Sequence, residues 1–502
     1  MVIATGKTNI LERVRSRSAH PWLLDHHGDL LTPHFADTFE HYFQQLQQSP
    51  KDTRLMIADS NPAHFLAKFL AACAAQRTVF LGNAKWVQSE WAQAWAIAHP
   101  THSWLTPPRP APLAPLAPRP LAPQLPPNAI LIPTGGTSGT LRFAIHTWDT
   151  LTASATGFCQ HFQVDTVNTC CVLPLYHVSG LMQFMRSFLS GGKIVLSPFK
   201  HLEQSKSLDI DSFNFFLSLV PTQLARLCHP PHHLQLLQSF KAILLGGAPP
   251  WPDLLEMGRR YHLPLAPTYG MTETASQVAT LRPTEFLQTR AIPTTSTPSG
   301  SRSLDNNAGS VLPHATITIR EQSGRVLGPN QVGIITIQSP SLAWGYCSEA
   351  GTAWIGATEQ PLNLSQRRFQ SNDLGFLDDV GQLHVVGRQR DMIISGGENI
   401  APTEVESAIR LTGLVDDVAV VGVSDRLWGE AVTAIYVPAR KPEQTEDVGE
   451  DAIASIKAVL AEQLNRIKHP KYWIAVSSLP CNAQGKVNRS KLRAIAHAHL
   501  KS

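Results

Sequence analysis

The chain has 502 residues, 43% of them hydrophobic and 16% charged, and a formal net charge of +4. This length exceeds what one hydrophobic core organises, so at least two domains are expected. The basic residues are scattered, which argues against a nucleic-acid or anionic-lipid surface, and the longest apolar stretch, Phe65 to Ala75, is interrupted by Lys68 and too short to cross a bilayer.

In chain order, Ala63 to Ala75 reads as a helix, and Thr78-Val79-Phe80-Leu81 before Gly82-Asn83 reads as a strand closed by a turn, which opens an α/β alternation. Residues 107–127 carry proline at a density that forces extended backbone with no ladder to join. They are read as a surface connector inside one domain. Strands are expected at 129–132, Cys170–Leu173, Lys193–Leu196, Phe213–Leu219 and Ala242–Leu245, alternating with helices in the manner of a parallel sheet. Residues 292–308, rich in Pro, Ser, Thr and Asn, read as loop. The alternating run 314–338 reads as an antiparallel, β-rich subdomain. The final segment from 392 to 502 has a βα pattern of its own and can form a small α+β domain. The seven cysteines form an odd, scattered set, as in a reducing cytoplasm, and residues 1–20 lack the apolar core of a signal peptide. The expectation is a cytoplasmic protein.

The first stretch with chemistry in it follows the strand at 129–132. Thr134, Gly135, Gly136, Thr137, Ser138, Gly139 and Thr140 combine hydroxyls with glycines that let successive backbone N–H groups surround an anion. No Lys follows the last Gly, so this is not a Walker loop, and Arg142 is the nearest cation. The alternative is a plain Gly/Ser/Thr surface loop. The second stretch is Thr268-Tyr269-Gly270-Met271-Thr272-Glu273. Tyr269 offers a ring to adenine, Thr272 a donor to phosphate, and Glu273 a carboxylate for Mg²⁺, which prefers oxygen ligands. Alone, it reads more readily as an ordinary strand-end turn with a helix-start Thr and Glu. Gly246-Gly247-Ala248-Pro249 follows an apolar strand, where glycine permits close approach of a flat ring. His177, after Tyr176, suggests a pocket gate or an acid partner, with a packed core histidine as the alternative. Cys228, His229, His232 and His233 match no standard zinc spacing and are given no metal role.

Taken together, these stretches resemble the adenylate-forming superfamily of acyl-CoA synthetases, luciferases and peptide-synthetase adenylation domains. The loop at 134–142 is similar to its phosphate loop, with Leu141 and Arg142 where Pro and Lys are usual. Residues 268–273 are similar to Y-G-x-T-E. The run 371–406, SNDLGFLDDVGQLHVVGRQRDMIISGGENIAPTEVE, follows the family's pattern over its whole length, with Asn372 in place of Gly. The resemblance implies that Asp373 accepts from the ribose hydroxyls and that Arg388 reaches ribose or phosphate. It places Gly247, Ala248 and Pro249 beside adenine, and makes Arg390 a hinge before a mobile C-terminal domain. Gly396 and Gly397 would pass the narrow chain of coenzyme A. Asn482 to Arg489 resembles the family's G-K-[IV]-x-R motif, so Lys486 would pair with the attacking carboxylate and the α-phosphate.

The stretch Leu173–Ser187, with Val220–Leu224 and Thr274–Gln277, further resembles 2-succinylbenzoate–CoA ligases of menaquinone and phylloquinone biosynthesis. This implies an acid pocket with His177, Arg186, Thr222 and Ser276. Arg186 would hold a second carboxylate bidentately, and a structural role is its alternative. The fold implied is a large N-terminal domain, 1–389, of layered α/β subdomains plus a β-rich subdomain, and a small domain, 390–502. The reaction implied uses ATP, Mg²⁺ and coenzyme A and passes through an acyl-AMP. Another aryl or short acyl acid is the runner-up substrate. A nucleotide-binding protein with decayed chemistry is the alternative from another class, favoured by Leu141, Arg142 and Asn372 and opposed by Glu273, Asp373, Arg388 and Lys486.

Overall fold

The computed structural model describes residues 10–106, 125–135, 141–204, 212–228, 233–288, 307–355, 367–395, 398–425, 428–439, 449–481 and 487–500. Among these residues, a 7-stranded sheet runs in the order Gly351–Trp354, Gly345–Ser348, Leu141–His146, Ile130–Gly135, Thr78–Leu81, Arg54–Asp59, His102–Thr106. The last four strands are mutually parallel, and the first three continue antiparallel from Ile130–Gly135. Ile130, Leu131 and Ile132 are buried without alternation, as a strand covered on both faces requires. The strands on either side of the proline-rich run, His102–Thr106 and Ile130–Gly135, belong to this one sheet, so the run is a connector within a domain as its composition predicts. Residues 107–124 of it lie outside the described residues.

A 12-stranded sheet among the described residues forms the second layer. Its parallel half runs Leu23–Asp25, Ile194–Leu196, Asn168–Cys171, Phe215–Leu219, Ala242–Leu245, Leu265–Met271. Its antiparallel half continues through Ser276–Thr280, Asn307–Val311, Gln382–Arg388, Arg368–Leu377, Gly333–Gln338 and Thr316–Arg320. The strand Leu265–Met271 belongs to both halves: Leu265–Pro267 pair in parallel with Ile243–Leu245, and Thr268–Met271 pair antiparallel with 276–280.

Helices Pro62–Ala74, Trp148–Phe162 and Val178–Ser190 lie between the two sheets and share one core with both, from Ile57, Leu81 and Ile132 on one side to Leu196, Phe216 and Leu244 on the other. Two-sided covering explains why Pro62–Ala74 is buried from Ala63 to Cys73 apart from His64. Lys68, the charge that interrupts this apolar run, is itself buried and donates to Asp59 at 2.6 Å and to Thr106 at 3.1 Å. A buried ammonium is tolerable only with such partners.

Several expected boundaries shift: the strand expected from Lys193 begins at Ile194, and the one expected from Phe213 begins at Phe215, after the short turn Ser212–Asn214. The strand expected at Cys170–Leu173 is Asn168–Cys171, because pairing with 194–196 stops at Cys171 and the chain turns at Pro174. Asn307 and Ala308, expected in a loop on composition, open a strand laddered to 382–384; residues 292–306 of that loop lie outside the described residues.

The C-terminal part forms a smaller unit. Val415–Asp425 and Gly429–Pro438 make a long antiparallel pair, joined by Ile393–Ser395, Glu398–Ile400 and Tyr472–Ala475. Alternating residues face opposite sides of that pair. Val418, Val420 and Val432 pack with Ile409 and Leu460, while Val421 and Ile435 pack with Leu492 of the last helix, Arg489–His499. Arg489 ties this unit together by pairing with Glu406 at 2.8 Å and Asp391 at 3.7 Å. The expected class, a large α/β part with several sheets and a smaller C-terminal domain, is the one observed. No described helix is long and apolar enough to cross a membrane.

Candidate active site

Strands Asn168–Cys171, Phe215–Leu219, Ala242–Leu245 and Leu265–Met271 run in one direction. Their carboxyl ends deliver 173–177, 220–222, 246–249 and Thr272–Thr274, four of the stretches marked by the sequence. Open parallel sheets bind ligands at this edge, where carbonyls and following helix starts are left unpaired.

The turn after Leu265–Met271 is strained and heavily tied. Ala275 and Ser276 have φ of 51° and 90°, a region that residues with a Cβ rarely adopt. Ser154 donates to the Ala275 carbonyl at 2.6 Å, Thr274 to the Ser276 carbonyl at 2.5 Å, and Ser341 to the Thr274 carbonyl at 3.0 Å. Gly270 makes the tight return possible, since a Cβ there would lie 2.2 Å from the Ser276 carbonyl oxygen. His146 Nε2 lies 2.8 Å from the Thr272 carbonyl oxygen, which can only accept. The ring therefore carries its proton on Nε2, and Nδ1 accepts from the Thr150 hydroxyl at 3.0 Å. Burial, with Arg367 nearby, lowers the pKa of His146 to about 4, so the imidazole is neutral near pH 7.

On this turn Glu273 is 7% exposed. The Tyr346 hydroxyl donates to its Oε1 at 2.6 Å, and Arg142 approaches the same oxygen at 3.8 Å. The Arg142 guanidinium lies 4.2 Å from the centre of the Tyr346 ring, within cation–π range. Burial first, and then Glu273, raise the Tyr346 pKa far above the ordinary phenol value, so the hydroxyl stays a donor. Among the described residues Glu273 Oε2 has no hydrogen-bond partner, and the carboxylate stands beside the Tyr346 hydroxyl, the Thr272 hydroxyl of the same turn and the Arg142 guanidinium. This hard-oxygen donor set fits Mg²⁺ shared with phosphate oxygens better than a thiolate- or imidazole-seeking metal.

A second carboxylate lies on the antiparallel half. Asp373 and Arg388 are directly opposed on Arg368–Leu377 and Gln382–Arg388, with Arg388 Nε 3.4 Å from Asp373 Oδ1. Tyr269 donates to Asp373 Oδ2 at 2.8 Å. The Tyr269 ring packs with Val278, Ala279 and Ile335 and keeps 9% exposure, so what it offers most plainly is a hydroxyl that aims Asp373. Gly247 (φ 84°), Ala248 and Pro249 are exposed, and Gly246 lies against the Thr268 side chain, which brings the loop 246–249 beside the start of the Thr268–Glu273 stretch.

The acid-pocket residues converge in part. Arg186, on helix Val178–Ser190, is 2% exposed; it donates to Ser276 Oγ and Gln277 Oε1, each at 2.9 Å, and lies 4.3 Å from the centre of the Phe158 ring. Burial lowers its pKa to about 10, and among the described residues no carboxylate pairs with it. His177 caps the start of the same helix, half-buried against Tyr176. Gly180 lets that helix seat on Pro174, whose carbonyl oxygen would be 2.3 Å from a Cβ. Thr222 stands at the same sheet edge, in the first turn of Pro221–Cys228. Arg390 is exposed in the short turn Gln389–Asp391. Thr134 and Gly135 end the strand that leads into the loop, whereas Gly136, Thr137, Ser138, Gly139, Gly396, Gly397 and Lys486 lie outside the described residues, as do His229 and His232.

The residue reading passed over His146, Tyr346 and Gln277. His146 and Gln277 stood inside stretches already marked, and Tyr346 follows a glycine in a strand that pairs with Leu141–His146. That pairing is long-range, and local pattern does not disclose it.

Comparison with known proteins settles the grouping. Residues 45–347 match the family described as AMP-binding enzyme, and residues 404–486 match the AMP-binding enzyme C-terminal domain. The chain belongs to the AMP-binding enzyme family. A 2-succinylbenzoate–CoA ligase of Listeria monocytogenes is 32% identical to this AMP-binding enzyme over 373 residues, 73% of this chain and 69% of that one. The corresponding ligase of Bacillus licheniformis is 34% identical over 320 residues, 64% of this chain and 60% of its own length. Among solved structures, o-succinylbenzoate CoA synthetase (MenE) from Bacillus subtilis, in complex with the acyl-adenylate intermediate OSB-AMP, has a TM-score of 0.74 at 24% identity. The alignment covers 97% of this chain and 98% of that one. ATP-bound MatB from Rhodopseudomonas palustris has a TM-score of 0.74 at 21% identity, with the same coverage. At these identities the structural likeness concerns the fold.

Proposed function

We propose that this AMP-binding enzyme is an AMP-forming acid–CoA ligase and that its acid is 2-succinylbenzoate. The carboxylate of the succinyl arm attacks the α-phosphorus of ATP, giving acyl-AMP and pyrophosphate. The thiol of coenzyme A then attacks the acyl carbonyl and releases AMP. The observation that carries the choice of acid is Arg186. It is a buried guanidinium held by two neutral oxygens, on the side chains of Ser276 and Gln277, and it retains donors for a carboxylate. Ser276 lies three residues beyond Glu273, so the acid would sit next to the phosphates it attacks. Curated relatives that act on this acid support the same reading.

In this reading Thr134, the 135–139 loop, Arg142 and Thr272 bind the phosphates, and Glu273 binds Mg²⁺, which would neutralise phosphate charge. Asp373, aimed by Tyr269, accepts from the ribose, with Arg388 beside it. Adenine lies along Gly247–Pro249, Thr268 and the exposed remainder of Tyr269. His177 gates the acid pocket, with Thr222 at its edge. The chain divides at Arg390. Residues 390–502 carry Lys486 for adenylation and Gly396-Gly397 for the coenzyme A passage, and turn about Arg390 between the two steps. The pairing of Asp391 with Arg489 and Arg493 supports placing the division there. The seven cysteines are free thiols, which agrees with a reducing cytoplasm.

Pyrophosphate release from ATP, measured with a panel of acids, tests the proposal. Release with 2-succinylbenzoate well above that with benzoates and short acyl acids is expected. Release with another acid alone would install that acid as substrate, and ATP binding without release from any acid would make the chain a nucleotide-binding homologue.

A further inference from the structure

Tyr346 is assigned no role by the motifs, yet it touches two residues that have one. Thr134 and Arg142 are directly opposed on neighbouring strands, and Tyr346 opposes Ala144 on the next strand over. Residues two apart share a face, so Thr134, Arg142 and Tyr346 lie on one face of three adjacent strands, with Tyr346 one diagonal step from Arg142. This face is strapped to the Thr272–Thr274 turn, because Ala343 N–H donates to the Glu273 carbonyl at 2.8 Å. From this position the Tyr346 hydroxyl meets Glu273 Oε1 at 2.6 Å, and its ring lies 4.2 Å from the Arg142 guanidinium carbon.

We propose that Tyr346 is a positioning residue for the triphosphate end of the nucleotide: its hydroxyl aims the Glu273 carboxylate, and its ring carries the Arg142 guanidinium. One aromatic side chain thereby orients both the oxygen offered to the metal and the cation offered to the phosphates. The hydroxyl fills one lone-pair direction of Oε1, and Oε2 is left for the metal. The ring accounts for Arg at a position where the family has Lys, since a planar guanidinium stacks on a ring and an ammonium does not. The inference rests on the reading that Glu273 and Arg142 face ATP.

The two halves of the proposal separate by substitution. Calorimetric titration of ATP into the full-length protein, with no acid present, is run without Mg²⁺ and at a series of Mg²⁺ concentrations. Tyr346→Phe keeps the ring and removes the hydroxyl. It should raise the Mg²⁺ concentration needed for half-maximal tightening roughly tenfold, the factor expected for one lost hydrogen bond to a carboxylate, and leave metal-free ATP affinity unchanged. Tyr346→Leu removes both and should also weaken metal-free ATP. Arg142→Lys should weaken ATP in the wild-type background and change nothing further in Tyr346→Leu. Thermal melts identify any variant that fails to fold, and Tyr346→Phe, which adds no volume, keeps the test valid if Tyr346→Leu unfolds. A wild-type Mg²⁺ response in Tyr346→Phe, beside a weakened response in Glu273→Gln, would overturn the proposal. An unchanged response in Glu273→Gln as well would instead remove Glu273 from the phosphate site.

Discussion

At the scale of single residues, the site is built from polar groups whose partners are buried with them. Arg186 is the sharpest instance. Desolvation of a guanidinium is costly, and two neutral acceptors repay it only in part, so the residue is better matched to a ligand carboxylate than to the protein alone. Arg186→Lys keeps the charge and enough length to hold the fold, but loses the fork. KM for 2-succinylbenzoate should rise roughly tenfold or more, the range of a lost charge-assisted hydrogen bond, while KM for an analogue lacking the ring carboxylate should change little. Steady-state kinetics with the two acids decide it: equal shifts would leave Arg186 with the packing role that its contact with Phe158 also supports. The motif Met185-Arg186-Ser187 could be marked from the chain. That Ser276 and Gln277 hold Arg186 could not, because the partners lie 90 and 91 residues away.

At the scale of elements, the organising piece is the strand Leu265–Met271 with its turn. It closes the parallel half of one sheet, opens the antiparallel half, and ends in Thr272-Glu273. The sequence marked this stretch by residue type, and its strand neighbours by apolar runs. It did not disclose the strain at Ala275 and Ser276, since neither residue advertises positive φ as glycine does. Strain of this kind persists because four elements pin the turn, and it can be relieved locally. Ala275→Gly should stabilise the protein by about 0.5–1 kcal/mol, the left-handed penalty less the added freedom of glycine in the unfolded chain. Gly270→Ala should destabilise by about 3 kcal/mol or more, because the clash is with backbone, which cannot swing aside. Urea unfolding midpoints measure both. A destabilised Ala275→Gly would mean that the turn is held by side-chain packing at Ala275 and that relief of φ contributes nothing.

At the scale of the whole molecule, the two sheets share one helical layer, and that layer buries histidines the sequence presented as ordinary. The order of elements could be read locally, because apolar runs and turn residues alternate along the chain. Their burial could not, because it arises when the second sheet closes over the first. His146, His161 and His314 each have a pKa lowered to about 4, in every case by burial first. Neighbouring basic groups then add to the effect: Arg367 for His146, Arg282 for His161, and for His314 Arg186 and, once it is itself protonated, His161. Among the described residues, both ring nitrogens of His314 and Nε2 of His161 are buried without a hydrogen-bond partner. The unfolded chain binds protons at these rings near pH 6.5, and the folded chain binds them only near pH 4. Between those values the unfolded state holds more protons, so stability rises with pH. The three rings give their full contribution above pH 6.5 and lose it progressively as pH falls toward 4. At about 1.4 kcal/mol per pH unit for each proton, three rings approach about 4 kcal/mol per unit at the steepest, against a total stability of about 5–15 kcal/mol for a typical domain. Urea midpoints should therefore be level from pH 8 to 7 and fall steeply below 6.5. The slope should lessen by about a third in His161→Gln and again in His314→Gln. Near pH 4, protonation at Nδ1 of His146 ends its acceptor role toward Thr150, whereas the Nε2–H bond to the Thr272 carbonyl is kept. A midpoint that stays level down to pH 5 would mean that these rings are hydrated in the folded protein, and that the helical layer is more open than the packing between the two sheets requires.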